Sequence, residues 1–233
     1  KNFHYQFLLM NVDDYPRLPS EQEFFSNAAL EIPSSALFDM ITKTKFCVNP
    51  EEPRMYFRGV LLEGKGKNLV MVGTDTRRLA VVQKEISANE TMKMILPIHL
   101  LEVLPGIIKE ENARLAFTKN QVGFQWGRSS LTSQLLEGAF PEYEKVIPGS
   151  EAQHLAEIET KQLYESLSRL TLLATEKFYS VKLQFRKDLL VISFESPDLG
   201  SGEEKLTIGY SGPNTDIIFN PEYLLDFLKT VPQ

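Results

Sequence analysis

Ile95-Leu96-Pro97 leads into Leu100-Leu101-Glu102-Val103-Leu104, and the same pattern returns as Ile218-Phe219-Asn220 leading into Tyr223-Leu224-Leu225-Asp226-Phe227. Two further segments repeat at nearly the same separation. Leu30-Glu31-Ile32 with Leu37-Phe38 returns as Ala156-Glu157-Ile158 with Leu163-Tyr164, and Tyr15-Pro16-Arg17-Leu18-Pro19 returns as Phe140-Pro141-Glu142-Tyr143 with Val146-Ile147-Pro148. A period of roughly 125 residues is far longer than that of a solenoid, so the repeating unit is a whole domain. Because Tyr15-Pro16 matches the end of a unit, residues 1–23 read as the last piece of a preceding copy. Residues 24–154 then form a complete copy, and residues 155–233 form a third copy without its closing strands. The chain is expected to be a window cut from a longer product, in keeping with a first residue other than Met.

Within the complete copy, Ser34 and Ser35 precede Leu37, Phe38, Met40 and Ile41, which predicts a capped amphipathic helix. Met55 to Lys65 reads as a strand, and Gly64-Lys65-Gly66-Lys67 as a hairpin turn into Leu69-Val70-Met71-Val72. Arg77 to Gln83 and Met92 to Leu96 are further strands. A second helix follows Pro97, with Pro105-Gly106 expected to kink or shorten it. Three alternating runs close the copy: Leu115 and Phe117; Val122, Phe124 and Trp126; Leu131, Ser133 and Leu135. The class is α+β, with two helices per copy layered on antiparallel sheet.

Composition is that of a globular protein, 42% hydrophobic and 24% charged. No run reaches the length a membrane span requires, and the chain start lacks signal-peptide organisation, so a cytoplasmic protein with no membrane partner is expected. Cys47, the sole cysteine, lies between Phe46 and Val48 and reads as a buried structural thiol. His4, His99 and His154 have no metal-ligand spacing, and the glycines at 64 and 66 lack phosphate-loop spacing. Neither a nucleophile elbow nor a distinctive carboxylate pair is present, so no catalytic residue, metal or cofactor is expected, although an unrecognised hydrolase remains a distant alternative. A net charge of −6 argues against strong phosphate binding by the chain as a whole.

Three segments carry more information. Gly73-Thr74-Asp75-Thr76-Arg77-Arg78-Leu79-Ala80 sets two arginines between apolar strands, and reads either as a charged inter-strand turn or as part of a groove. Arg54-Met55-Tyr56-Phe57 and Phe140 to Pro148 mix aromatics, prolines and cations near strand ends. Together they are able to line an apolar groove with basic rims, suited to a short acidic-hydrophobic peptide.

At these segments the sequence resembles the bacterial beta clamp family, the beta subunit of DNA polymerase III. That family has a T-D-G-H-R-L-A stretch, an R-Y-x-L-x-G strand and an F-P-x-Y-x-x-V-x-P segment, matched here by Thr74–Ala80, Arg54–Gly59 and Phe140–Pro148; Phe219-Asn220-Pro221-Glu222-Tyr223-Leu224 matches its F-N-x-x-Y-L helix start. The resemblance covers essentially the whole chain. It implies the DNA clamp fold, with two protomers closing head-to-tail into a homodimeric ring around duplex DNA. It also implies a processivity role: tethering the polymerase III alpha subunit, the clamp loader and other clamp-motif proteins through a peptide pocket. For that pocket it implies Arg54, Tyr56, Phe57, Thr74, Thr76, Arg77, Arg78, Leu79, Pro141, Lys145 and Val146, bordered by Asn220 and Tyr223. Phe57, Leu79, Pro141 and Val146 would bury apolar side chains, and Arg78 and Arg54 would hold polar or carboxylate groups. Lys43, Lys45, Lys161 and Arg169 would face DNA across the helices, or simply solvate them. The sequence departs from the family at Thr76-Arg77, where Gly-His is usual, at Phe57, where Leu is usual, and at Arg58, Ile98 and His99. A repeat module that binds partners without encircling DNA is the alternative function.

Overall fold

The computed structural model describes residues 2–11, 24–25, 30–86, 92–149, 154–174 and 179–231. The Tyr15–Pro19 repeat, and with it most of the proposed remnant at 1–23, lies outside these residues. Strands β1 (Leu30–Pro33), β6 (Asn112–Phe117), β7 (Gln121–Trp126) and β8 (Ser129–Gln134) form one antiparallel sheet in the order β1-β6-β7-β8. A second antiparallel sheet has the order β4-β3-β2-β5, from β2 (Gly59–Lys65), β3 (Asn68–Thr74), β4 (Leu79–Glu85) and β5 (Lys93–Pro97). Helices α1 (Ser34–Lys45) and α2 (Ile98–Ile107) complete this unit. One core draws on all four components: Leu37, Met40 and Ile41 from α1, Leu101 and Leu104 from α2, Val60, Leu62, Leu69 and Met71 from the second sheet, and Leu115, Val122 and Phe124 from the first. The unit thus has two sheets sharing a core with the helices, where the sequence suggested one helix layer on one sheet face.

The period-2 signal of β6 to β8 follows the pleat, and Val122, Phe124 and Trp126 all point into this core. In the second sheet the inner strands β2 and β3 are buried on both faces and are near-continuous apolar runs, whereas the edge strand β4 alternates between half-buried and exposed. Its other face packs Leu61, Val70, Val72 and Ile95 against Phe140 and Tyr143. Gly73 allows the end of α1 to lie against β3, since a Cβ there would sit 2.3 Å from the Thr44 carbonyl oxygen. The glycine-lysine segment is a two-residue hairpin turn, with Lys65 paired to Asn68 and Gly66 at φ 61°.

Several local expectations change. Met55–Phe57 is a 3-10 turn, closed by Phe57 N–H to Arg54 O and Arg58 N–H to Met55 O, and the strand begins only at Gly59. Ser34 is the first helical residue and not a cap: Pro33 holds the capping position, the Ser34 N–H donates to Glu111 O at 2.7 Å, and its hydroxyl is buried without a partner. β4 starts at Leu79, two residues later than expected, because Asp75–Arg78 form a turn. Helix α2 runs through Pro105 and stops two residues on.

The segment expected to be a third copy has sheet order β12-β11-β10-β14, from β10 (Val181–Arg186), β11 (Leu189–Ser196), β12 (Gly200–Thr207) and β14 (Thr215–Phe219). A short pair joins β9 (Ala156–Glu157) to β13 (Gly209–Tyr210). Helices α3 (Thr160–Leu170) and α4 (Pro221–Leu228) pack on each other and on the core around Leu167, Leu190, Ile192 and Phe194. At α4 the sequence signal is exact in register: Pro221 opens the helix and Asn220 Oδ1 accepts from the Glu222 N–H at 2.9 Å.

Candidate peptide groove

The Thr74–Leu79 turn is built by its own side chains. Asp75 Oδ1 accepts from the N–H groups of Arg77 and Arg78, both at 3.0 Å, while Thr74 Oγ1 accepts from Thr76 N–H at 3.1 Å and donates to Arg78 O at 2.7 Å. Closing this turn drives Thr76 to φ 73°, a left-handed conformation that a β-branched residue rarely adopts. That strain sits at the position where the resembled motif has Gly.

Across from the turn, residues 140–148 form a wall. Phe140 and Tyr143 are its buried anchors. The Tyr143 hydroxyl donates to Glu63 Oε2 at 3.0 Å and accepts from Lys65 Nζ at 3.1 Å, and Lys65 also pairs with Glu144. Hydrogen bonds to Glu144 and Tyr143 hold the Lys65 ammonium protonated well above its usual range, and burial raises the Tyr143 phenol. These contacts hold the start of the 3-10 turn Tyr143–Val146, and Val146 at its end is 69% exposed.

Between turn and wall lies a cavity of about 650 Å³. Phe57, Thr74, Thr76, Arg77, Arg78, Leu79 and Val81 line one side, and Pro141, Glu142, Tyr143, Val146, Ile147 and Pro148 the other. Of the residues expected at a pocket, the structure brings Phe57, Thr74, Thr76, Arg77, Arg78, Leu79, Pro141 and Val146 together. Arg54, Tyr56, Lys145, Asn220 and Tyr223 are not among the lining residues. Arg54 lies over the Phe57 ring and pairs with Glu52, Tyr56 packs under Phe57, and Lys145 pairs with Glu142. Val81 was missed although strand period alone puts it on the face of Leu79; Glu142, Tyr143, Ile147 and Pro148 lie inside the quoted motif but were not assigned.

Arg78 is committed to the fold more than to the cavity. Its guanidinium meets Asp75 Oδ2 at 3.0 Å, Asp226 Oδ2 at 2.9 Å and the Phe46 carbonyl at 2.6 Å, and stacks over the Tyr223 ring at 4.6 Å. It therefore ties the groove turn to α1 and to α4 of the next copy. Tyr223 also accepts a long hydrogen bond from Arg77 Nη1, 3.4 Å, and so borders the groove indirectly. Beyond β4 a smaller cavity of about 390 Å³ holds Cys47, whose thiol burial pushes up to about 12.

The expected DNA-facing cations do not form one cluster of free charge. Lys43 pairs with Asp39 at 2.7 Å, and Arg169 forks onto Glu204 with both contacts at 2.7 Å, which holds the Glu204 carboxyl below its usual range. Lys45 is half-exposed and Lys161 exposed. No helix among the described residues is long and apolar enough to cross a membrane.

Comparison with known proteins adds independent findings. The model of the DNA polymerase III beta subunit central domain matches residues 31–142, and that of its C-terminal domain matches residues 144–233. The beta sliding clamp of Pseudomonas aeruginosa is 31% identical over 217 residues, covering 91% of this chain and 59% of that protein, so the chain spans about three fifths of such a relative. A crystal structure of the DNA polymerase III subunit beta from the same organism superposes with TM-score 0.86 at 29% identity, covering 95% of this chain and 61% of that one. A second structure, of the P. aeruginosa sliding clamp bound to griselimycin, gives TM-score 0.86 at 30% identity, covering 96% and 60%.

Proposed function

The chain belongs to the DNA polymerase III beta subunit family, the beta sliding clamps, and from this premise we propose that it is the peptide-binding part of a processivity factor. In this reading the whole protein closes head-to-tail into a homodimeric ring around duplex DNA in the cytoplasm. It tethers the polymerase alpha subunit, the clamp loader and other clamp-motif proteins, and performs no chemistry itself. Residues 24–154 are the second clamp domain, 155–233 part of the third, and 1–23 a remnant of the first.

The observation that carries the proposal is the groove between Leu79 and Val146. Its apolar floor, about 650 Å³ in volume, is the right size to bury two or three side chains of an extended peptide. One wall is held by the Thr74 and Asp75 hydrogen bonds of its turn and the other by the buried Phe140 and Tyr143, which limits the ordering entropy lost on binding. Apolar anchors from the ligand would meet Phe57, Leu79, Pro141 and Val146. Phosphate contact would fall to Lys45 and Lys161 first, because Lys43 and Arg169 already hold carboxylates. Enclosure, not tight phosphate binding, then retains the ring, which reconciles its role with a net charge of −6.

The test is retention on closed circular plasmid by the full-length parent. Encirclement predicts that linearising the plasmid releases the protein. Equal retention on circle and line would point to a repeat module that binds partners without enclosing DNA.

A further inference from the structure

The cations around the groove differ in what already neutralises them. Arg54 lies 2.6 Å from Glu52, Lys145 is paired with Glu142, and Arg78 is shared between Asp75 and Asp226. Arg77 is exposed and lines the cavity, and no carboxylate among the described residues lies within ion-pair distance of it. Its side-chain hydrogen bond goes to the neutral Tyr223 hydroxyl at 3.4 Å, near the outer limit for such a bond. Asp75, its neighbour, is occupied by Arg78 and by the two backbone N–H groups of the turn. A guanidinium keeps its proton in a protein, so Arg77 is a permanent positive charge at one wall of an apolar groove. Glu142, which also lines the cavity, is already compensated by Lys145.

We propose that Arg77 is the specificity-determining cation of the groove, selecting a short extended peptide that joins apolar side chains to one carboxylate. This rests on the groove being a peptide site. The carboxylate lies toward Arg77, which sets the direction of the peptide in the groove. Arg77 is well placed to discriminate because its backbone is fixed by Asp75 and by the left-handed turn at Thr76. Exchanging the long phenol contact for a forked carboxylate pair exchanges a weak partner for a strong one. Arg78, with its donors already on Asp75, Asp226 and Phe46, supplies the frame for that contact and not the contact itself.

The experiment is a fluorescence anisotropy titration of this chain with pairs of labelled hexapeptides. Each peptide carries Leu and Phe, and the members of a pair differ only by Asp or Asn at one scanned position. At one position the Asp peptide should bind about fivefold tighter at moderate salt, and the preference should shrink at high salt. R77Q should bring the Asp-to-Asn ratio to about one, whatever it does to both affinities, and R77K should restore part of it. A ratio of one at every position in the wild type, or a ratio that survives in R77Q, overturns the role of Arg77 while leaving the groove standing. Failure of every peptide to bind overturns the groove reading, and the Arg77 proposal with it.

Discussion

Replacing Arg78 by Ala is expected to damage the fold as well as the groove. The side chain is 20% exposed and donates to Asp75, Asp226 and the Phe46 carbonyl, linking the turn, α1 and α4. Removing it takes the guanidinium from two carboxylates, Asp75 at 14% and Asp226 at 32% side-chain exposure, and leaves Asp75 only the two N–H groups of its turn. A fully buried pair broken on one side costs about 3–5 kcal/mol. Water reaches Asp226, which Lys229 already contacts at 3.2 Å, so after discounting for screening the cost falls below that range, to about 2 kcal/mol. Loss of the stack over Tyr223 adds about 0.5 kcal/mol. The sum is about 2–3 kcal/mol, or roughly 4–12 °C in melting temperature for a chain of this size. Urea denaturation of R78A is the assay, with R54A as control, because Arg54 is half-exposed, meets the Glu52 carboxylate and the Phe57 ring, and should cost much less than Arg78. In R78A/D226A the two losses should be less than additive by about 1 kcal/mol. Stability of R78A within about 0.5 kcal/mol of wild type would refute the view of Arg78 as a strut.

Two other substitutions probe different terms. Thr76→Gly relieves a β-branched residue held at φ 73° and removes an exposed side chain; relief of about 1–2 kcal/mol, less the greater unfolded-state freedom of Gly, leaves a net gain of about 0.5–1 kcal/mol, and a lower melting temperature would contradict it. The Asp216 carboxyl is held at about 2 by hydrogen bonds from Lys182 and Arg186. Its folded value is depressed, so its stabilising effect is present above its ordinary value of 3.8 and fades as pH falls toward 2. D216N should therefore lose less stability than wild type between pH 4 and pH 2, read by acid titration of the circular dichroism signal; parallel curves would remove the assignment.

The sequence was most informative where one periodicity or one turn rule acted alone. The alternation in β7 and the hairpin at Gly66 depend on short-range geometry, and both appear as read, while the start of α4 at Asn220-Pro221 was reached through the repeat and the resembled motif. It misled where tertiary contacts set the local structure. Ser34 resembles a cap, but the neighbouring Glu111 carbonyl takes its N–H and Pro33 occupies the capping place. Met55 to Phe57 is apolar enough for a strand, yet Phe57 turns inward against Phe140 from a 3-10 turn. Sheet partition was likewise hidden, since adjacency of β1 to β6 is a contact across about 80 residues that no local pattern encodes. In the groove, motif resemblance located both walls, whereas the division of labour between Arg77 and Arg78 follows from where Asp75 and Asp226 lie, and only coordinates supply that.

The most direct test of the account is a methyl-labelled NMR titration of this chain with a short peptide carrying Leu and Phe. A peptide groove predicts saturable shifts at Leu79, Val81, Val146 and Ile147, all at one dissociation constant, and their loss in a Leu79→Ala variant that remains folded. Shifts confined to exposed apolar residues elsewhere, such as Leu172 or Ile218, or saturation unchanged in the Leu79→Ala variant, would contradict it.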